Sequence, residues 1–145
     1  MARMALVSVT RLRVRHWWFL PQFFLASFRA AQQATASEGN LHAALLRDRN
    51  RVFWTATSWT SEAAMRAFML APPHGPIMRK LLGWCDEASL VHWTQDSEEL
   101  PSWDTAHARL TAEGRPSKVN HPTAAHRALT FPAPKTGGSA ATRLK

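Results

Sequence analysis

The fold is decided by one stretch of the chain, Phe53-Trp54-Thr55-Ala56-Thr57-Ser58-Trp59-Thr60-Ser61-Glu62-Ala63-Ala64-Met65-Arg66-Ala67-Phe68. Its first half is rich in aromatic and β-branched residues that alternate between two faces, which is typical of a strand. Thr60 or Ser61 then supplies a helix N-cap, and Glu62 lies in the first turn, where the helix dipole favours a carboxylate. The stretch therefore predicts a strand that leads into an amphipathic helix.

The rest of the chain, read outward from this stretch, extends the alternation of strands and helices. The predicted elements are strands at 5–15, 41–47, 52–59 and 89–94, a helix at 20–35, and a helix that begins near 61, breaks at the prolines 72, 73 and 76, and resumes at 77. The order β-α-β-β-α-β predicts an α+β, ferredoxin-like fold with an antiparallel sheet. Its helices can cover one face of the sheet only, so we expect the other face to meet a second copy of the chain.

The C-terminal third has a different character. A short helix is predicted over Trp103–Glu113 and ends at Gly114, and the residues beyond it are rich in Pro, Gly, Thr and Ala. Such a composition offers little apolar surface for burial and predicts a disordered basic tail. The predicted units are a ferredoxin-like domain at 1–97, a helical extension at 98–114 and a basic tail at 115–145.

Charge is unevenly distributed along the 145 residues, which carry a net charge of +8. Residues 1–35 hold five arginines and no acid, residues 36–113 sum to −3, and residues 114–145 hold six basic side chains and no acid. The basic ends could contact nucleic acid or anionic lipid by charge alone. We expect the tail to be a solvated extension instead, and no nucleic-acid partner.

Several functional classes are excluded by what the sequence contains. The single cysteine, Cys85, rules out an internal disulfide framework and favours a reducing, cytoplasmic location. The longest apolar run, Trp17–Phe28, is shorter than the roughly 20 residues of a membrane span and is broken by Pro21. The seven histidines show no zinc spacing, and no phosphate or dinucleotide fingerprint occurs.

The decisive stretch resembles the signature of the antibiotic biosynthesis monooxygenase superfamily of dimeric α/β barrels. The resemblance is carried by a strand ending at Trp59, by Ser-Glu-Ala opening the second helix, and by the aromatic Phe68. A histidine in the broken second half of that helix, here His74, is also common, and a more distant similarity is to the spheroidene monooxygenase-like group. The resemblance covers about residues 5–95 and implies a homodimer with a substrate site between sheet and helices.

The haem-degrading branch of that superfamily has an Asn, a Trp and an iron-binding His at positions that align with Thr10, Phe68 and Met78. None of the three matches, and a methionine would ligate iron only weakly. Because this triad is absent, we expect no haem degradation and no cofactor, with haem binding itself left open.

Two charged residues are candidates for chemistry. His74 could act as a base toward a phenolic substrate, since its ordinary pKa lies near neutrality; alternatively it satisfies backbone groups in the proline-rich break. Arg11 could stabilise an anionic oxygen; alternatively it belongs, with Arg13 and Arg15, to a solvated basic edge of the sheet.

The remaining candidates could line a pocket for a flat ligand. They are Thr10, Trp54, Trp59, Met65, Phe68 and Met78. The alternative for such large apolar side chains is plain core. Cys85 continues the stripe of Ile77 and Leu81 and is expected to be a buried small hydrophobe.

The leading functional prediction is a cofactor-independent monooxygenase-like protein that binds a small aromatic or quinol-type substrate. The alternative is a non-catalytic barrel protein that binds a small ligand. The cluster Trp17-Trp18-Phe19, beside Arg13 and Arg15, is also compatible with contact to a membrane interface, or else with the start of a buried helix.

Overall fold

An antiparallel sheet forms the centre of the molecule in the computed structural model, which describes residues 4–134 and 141–145. The strands are β1 (Ala5–Val14), β2 (Asn40–Arg47), β3 (Val52–Trp59), β4 (Cys85–Gln95), β5 (Arg115–Pro116) and β6 (Ala141–Arg143). The helices are α1 (Leu20–Ala36), preceded by a 3-10 turn at Trp17–Phe19, α2 (Glu62–Leu70), α3 (His74–Trp84), α4 (Trp103–Glu113) and α5 (Ala124–Ala128).

The strand order β5-β4-β1-β3-β2-β6 contains the ferredoxin-like order β4-β1-β3-β2 at its centre, so the predicted α+β fold is confirmed. Thr10 of β1 pairs with Thr55 of β3 on one side and with Leu90 of β4 on the other. β1 is therefore an inner strand. The expectation that Arg11 belongs to a solvated edge is wrong, because both sides of β1 are occupied.

The helix that follows the decisive stretch is broken as the prolines predict. Ser61 is the N-cap of α2 and its side chain accepts a hydrogen bond from the backbone N–H of Ala64. Pro72 and Pro73 lie between α2 and α3, where they cannot continue the helical hydrogen bonds. α3 resumes at His74, three residues earlier than the pattern of apolar residues indicates.

Cys85 lies outside α3, contrary to the predicted helical stripe. α3 ends at Trp84 and Cys85 begins β4, which starts four residues earlier than expected. The residue is fully buried, as predicted for a small hydrophobe. Burial, with the neighbouring charge of Asp86, raises the pKa of the Cys85 thiol to about 12, so the sulfur is protonated and unreactive.

The second face of the sheet is covered by the chain itself. Val9, Trp54 and Val91 on this face form one core with Leu110 of α4 and with Phe131. We expected this apolar face to be left open for a second copy of the chain. That expectation is wrong, because residues of the same chain cover the face. The homodimer itself stays a prediction.

The covering segment, residues 98–134, includes most of the predicted tail. Residues 115–134 form β5 and α5, and Val119, His126 and Phe131 are buried. The structure differs here from the expected disorder, because a few well-spaced apolar side chains meet a face that already exists. Residues 135–140 of the predicted tail lie outside the described residues.

Candidate functional site

A cavity of about 450 Å³ lies between the sheet and helices α1, α2 and α3. Its floor is formed by side chains of inner strands, such as Thr10, Thr55 and Leu90. On the opposite side, α1 crosses the sheet and contributes small side chains to the lining, including Ala30 and Ala31, which leaves space above the sheet. The space is therefore a consequence of short side chains on α1 above short polar side chains on β1 and β3.

Seven of the residues predicted as site residues line this one cavity. They are Thr10, Trp54, Trp59, Met65, Phe68, His74 and Met78. Trp54 differs from the others, because it pairs with Arg11 and its indole ring lies on the opposite face of the sheet, within about 6 Å of the rings of Phe131 and His107. Trp54 therefore borders the cavity only from within the sheet, and its predicted place in the pocket wall is not supported. That the other six side chains contact a ligand stays a prediction.

His74 stands at the beginning of α3, on the helical side of the cavity. Its Nδ1 lies 3.1 Å from the carbonyl oxygen of Met69, and a carbonyl can only accept, so Nδ1 carries the proton in the neutral ring. Burial lowers the pKa of His74, against a smaller opposing effect of the Met69 hydrogen bond. The ring is therefore neutral near pH 7 and its Nε2 is the atom that can take a proton.

Gln33 of α1 holds the broken helix in place. Its side-chain amide donates to the carbonyl oxygens of Phe68 and Ala71 at 3.0 and 3.1 Å. Its side-chain oxygen accepts from the backbone N–H of His74 at 2.9 Å. One side chain thus satisfies the last carbonyls of α2 and the first amide of α3, which positions His74.

A row of aromatic rings runs along the α2 side of the cavity. The ring centres of Trp59 and Phe68 are 5.2 Å apart, with the ring planes inclined by 28°. The ring centres of Phe68 and His74 are 4.5 Å apart, with the planes inclined by 44°. The indole N–H of Trp59 donates to Thr57 Oγ1 at 2.9 Å, so its polar atom is satisfied inside the wall. This arrangement gives the cavity an aromatic side that ends at a base.

Sequence reasoning missed a polar row on the floor. His92 of β4 and Thr57 of β3 both pair with Ser8 of β1, and all three line the cavity. Burial lowers the pKa of His92, as does the positive charge of Arg115. The sequence does contain a signal for His92. It directly follows the buried Val91 in β4, and successive side chains of a strand point to opposite faces, so His92 lies on the face of the cavity.

Arg11 lies outside the cavity, and its predicted contact with an anionic substrate oxygen is not supported by this position. It is one residue after Thr10, so its side chain leaves the sheet on the opposite face. There Nη1 of Arg11 donates to Oε1 of Glu87 at 2.6 Å, and the guanidinium lies 4.2 Å from the ring centre of Phe131. Arg11 is 4% exposed and stabilises the contact between the sheet and the covering segment.

The residues at the cavity do not fit a haem-degrading centre. The positions aligned with that branch present the hydroxyl of Thr10, the phenyl ring of Phe68 and the thioether of Met78. Only the thioether could ligate iron, and weakly. Within residues 4–134 and 141–145, no three His, Cys, Asp or Glu side chains come together as metal ligands do.

No protein-family model matches the sequence, and no curated protein matches it. Solved structures do match. A candidate antibiotic biosynthesis monooxygenase from Nitrosomonas europaea superimposes with a TM-score of 0.57 at 14% identity, over 66% of this chain and 92% of that one. The chain shares its ferredoxin-like α+β fold with that protein.

Two further structures share this fold. A protein of unknown function from the same organism gives a TM-score of 0.58 at 14% identity, over 70% of this chain and 99% of that one. A conserved protein from Methanosarcina mazei Go1 gives 0.57 at 13% identity, over 63% and 93%. About a third of this chain therefore lies outside the shared fold.

In the part of the chain that the structure describes, no helix is both long and apolar enough to span a bilayer.

Proposed function

We propose that this protein is a cofactor-independent monooxygenase-like protein that binds a small aromatic or quinol-type substrate in the cavity between its sheet and helices. One observation carries the proposal: a neutral histidine, whose Nδ1 is engaged by a backbone carbonyl, stands at the end of a row of aromatic rings in an apolar cavity. The monooxygenase-like fold supports the same reading at the level of fold alone.

The proposed reaction requires a base and a cavity that excludes water. Nε2 of His74 takes the proton of a phenolic hydroxyl, and the electron-rich anion that remains reduces dioxygen. One oxygen atom enters the substrate and the other leaves as water, with both electrons for that water supplied by the substrate. Apolar walls exclude bulk water and so protect the reactive intermediate.

Substrate orientation falls to the aromatic wall and the polar floor. A flat ring stacks against Phe68 in the offset or tilted geometries that aromatic pairs prefer. The hydroxyl groups of Ser8 and Thr10 and the ring of His92 are the polar groups available to substrate oxygens from below. In this arrangement His92 is a second candidate for proton transfer.

The test is oxygen consumption with hydroquinone-like substrates, measured for the parent, His74→Ala and His121→Ala. His121 is an exposed histidine outside the cavity and serves as the matched control. We expect His74→Ala to lose most of the rate, by roughly 10² to 10⁴-fold for a general base, and His121→Ala to keep it. If His74→Ala consumes oxygen as fast as the parent while remaining folded, His74 has no part in the reaction.

A non-catalytic ligand-binding protein is the second candidate. The observation that favours it is the position of Arg11, which leaves the predicted anion stabiliser on the far side of the sheet. Native mass spectrometry of the purified protein distinguishes the two functions. A small aromatic ligand carried through purification, together with no oxygen uptake by the parent, would establish the binding protein.

The homodimer is part of this proposal, but its interface cannot be the open sheet face that the sequence predicted. The sheet face that a second copy would use is occupied by residues 98–134 of the same chain. A dimer through this face therefore requires two copies to exchange these segments, or the segment to leave. Sedimentation velocity of the full chain tests this prediction. A monomeric protein at micromolar concentration would contradict the homodimer.

A further inference from the structure

The outer surface of α1 and the turn before it expose large apolar side chains. Trp17 is 71% exposed and Trp18 53%, and on α1 Leu25 is 54% and Phe28 61% exposed. Leu25 and Phe28 lie three residues apart, on the helix face opposite the buried Phe23. We call these four side chains the α1 surface. Trp17 and Trp18 contact each other, and Leu25 and Phe28 are neighbours one turn apart, so the exposure is concentrated on one short segment, which indicates a contact site.

A basic groove borders the α1 surface. It runs between α1 and α3 and is lined by Leu25 and by four cationic side chains, namely Arg15, Arg29, Arg79 and Lys80. No carboxylate lines the groove among the described residues. Arg15 donates to the carbonyl oxygen of Gly83, which orients its charge without neutralising it. Leu25 of the α1 surface therefore lies beside the cationic side chains of the groove.

We propose that the α1 surface docks on an anionic membrane. Tryptophan is favoured at the level of lipid headgroups, and arginine and lysine can bury their stems while the charge reaches phosphate groups. Each basic side chain near an anionic bilayer strengthens binding, and the apolar side chains add burial at the boundary of headgroups and acyl chains. The groove supplies the first kind of contact and the α1 surface supplies the second.

Two other occupants fit less well. A two-fold dimer through this surface would place the same four cations against themselves, since both copies contribute the same patch. Single-stranded nucleic acid would gain stacking from Trp17 and Trp18. It would gain nothing from the exposed aliphatic Leu25, whose burial in a lipid interface is favourable.

The groove and the cavity share two lining residues, Ala26 of α1 and Ile77 of α3. A membrane-dissolved aromatic compound would therefore meet the docked protein next to the wall of the cavity. This consequence alone rests on the proposed function. Docking is tested without substrate, so the two can fail independently.

The experiment is co-sedimentation of the full chain with vesicles of phosphatidylcholine, with and without phosphatidylglycerol, over a salt series. We expect binding only to vesicles with phosphatidylglycerol, and weaker binding as salt rises. Arg29→Gln/Arg79→Gln should weaken binding about 25-fold, at about fivefold for each charge. Trp17→Ser/Phe28→Ser should abolish stable binding while changing the unfolding midpoint little, because Trp17 is 71% and Phe28 61% exposed. Trp18→Ser is left out because the Trp18 ring stacks on His16.

The matched control is Arg109→Gln/Arg127→Gln, which removes the same charge from the covering segment on the other face of the sheet. It should bind as the parent does. The proposal is overturned if the parent ignores phosphatidylglycerol, or if the control weakens binding as much as Arg29→Gln/Arg79→Gln. It is also overturned if Trp17→Ser/Phe28→Ser dissociates a dimer in sedimentation velocity, or if an oligonucleotide binds this surface more tightly than the vesicles do.

Discussion

The guanidinium of Arg11 on β1 and the carboxylate of Glu87 on β4 form an ion pair of 2.6 Å between two neighbouring strands, on the face that the covering segment packs against. Thr123 of that segment donates to the second oxygen of Glu87 at 2.9 Å. The ring of Phe131, also from the segment, lies over the guanidinium. The pair therefore joins β1 and β4 to residues that are distant in sequence, and it connects the stability of the sheet with that of its cover.

Arg11→Met is expected to destabilise the protein by about 3–5 kcal/mol, because it leaves the carboxylate of Glu87 buried without its cation. Denaturant unfolding measures the loss. Arg66→Met is the control, since the pair of Arg66 with Glu62 is exposed and should contribute less than about 1 kcal/mol. A loss from Arg11→Met as small as that of the control would contradict the assigned role.

Acid should loosen the cover. Burial alone would raise the pKa of Glu87, but the hydrogen bonds from Arg11 and Thr123 and the charges of Arg11 and Arg13 outweigh it and hold the pKa below 4.5. The folded carboxyl thus binds its proton less readily than the unfolded one, so its stabilisation is present above pH 4.5 and is lost as pH falls through the folded pKa. Unfolding free energies between pH 7 and pH 3 should drop less in Glu87→Gln than in the parent.

His74 should titrate below 6.5, because burial disfavours the imidazolium. The folded ring binds fewer protons than the unfolded one, so it lowers stability only where the unfolded ring is protonated, below about pH 6.5. NMR titration of the ring carbons, assigned with His74→Ala, measures the pKa. The acid limb of any oxygen uptake should follow the same value, and a pKa above 6.5 would remove the neutral base.

Gln33→Leu should affect His74 without touching the cavity. The substitution removes the three hydrogen bonds by which Gln33 of α1 holds the end of α2 and the start of α3. The start of α3 then loses its support. We expect the pKa of His74 to move toward 6.5 as the ring gains access to water, and oxygen uptake to fall at least tenfold. Gln32→Leu, at an exposed neighbouring position on α1, is the control. Equal effects of the two substitutions would show that Gln33 has no positioning role.

Removal of residues 98–145 should make the chain self-associate. The truncation exposes Val9, Trp54 and Val91, and a large apolar face of this kind is stable in water only when another surface covers it. Sedimentation velocity distinguishes the results. A truncated chain that stays monomeric and folded would contradict the role of the segment as cover.

Local pattern was enough for the core of the fold. Alternation in residues 53–59 and the cap at Ser61 predicted the strand and helix that the structure contains, because period and capping depend on neighbours in sequence. Within β3 the same alternation places Thr57 and Trp59 on one face, since every second residue of a strand shares a face, and both line the cavity. Residues chosen for their chemistry alone did less well, and Arg11 was assigned to the wrong face.

Long-range packing decided the rest. Whether Phe131 covers the sheet or stays in water depends on an apolar face built from β1, β3 and β4, which no local window contains. His92 joins Ser8 and Thr57 only through strand pairing between distant segments. The amino-acid order therefore determined which elements form and which residues share a face, because these depend on short-range geometry. Only the folded chain decided what covers each face, because that depends on burial summed over segments far apart in sequence.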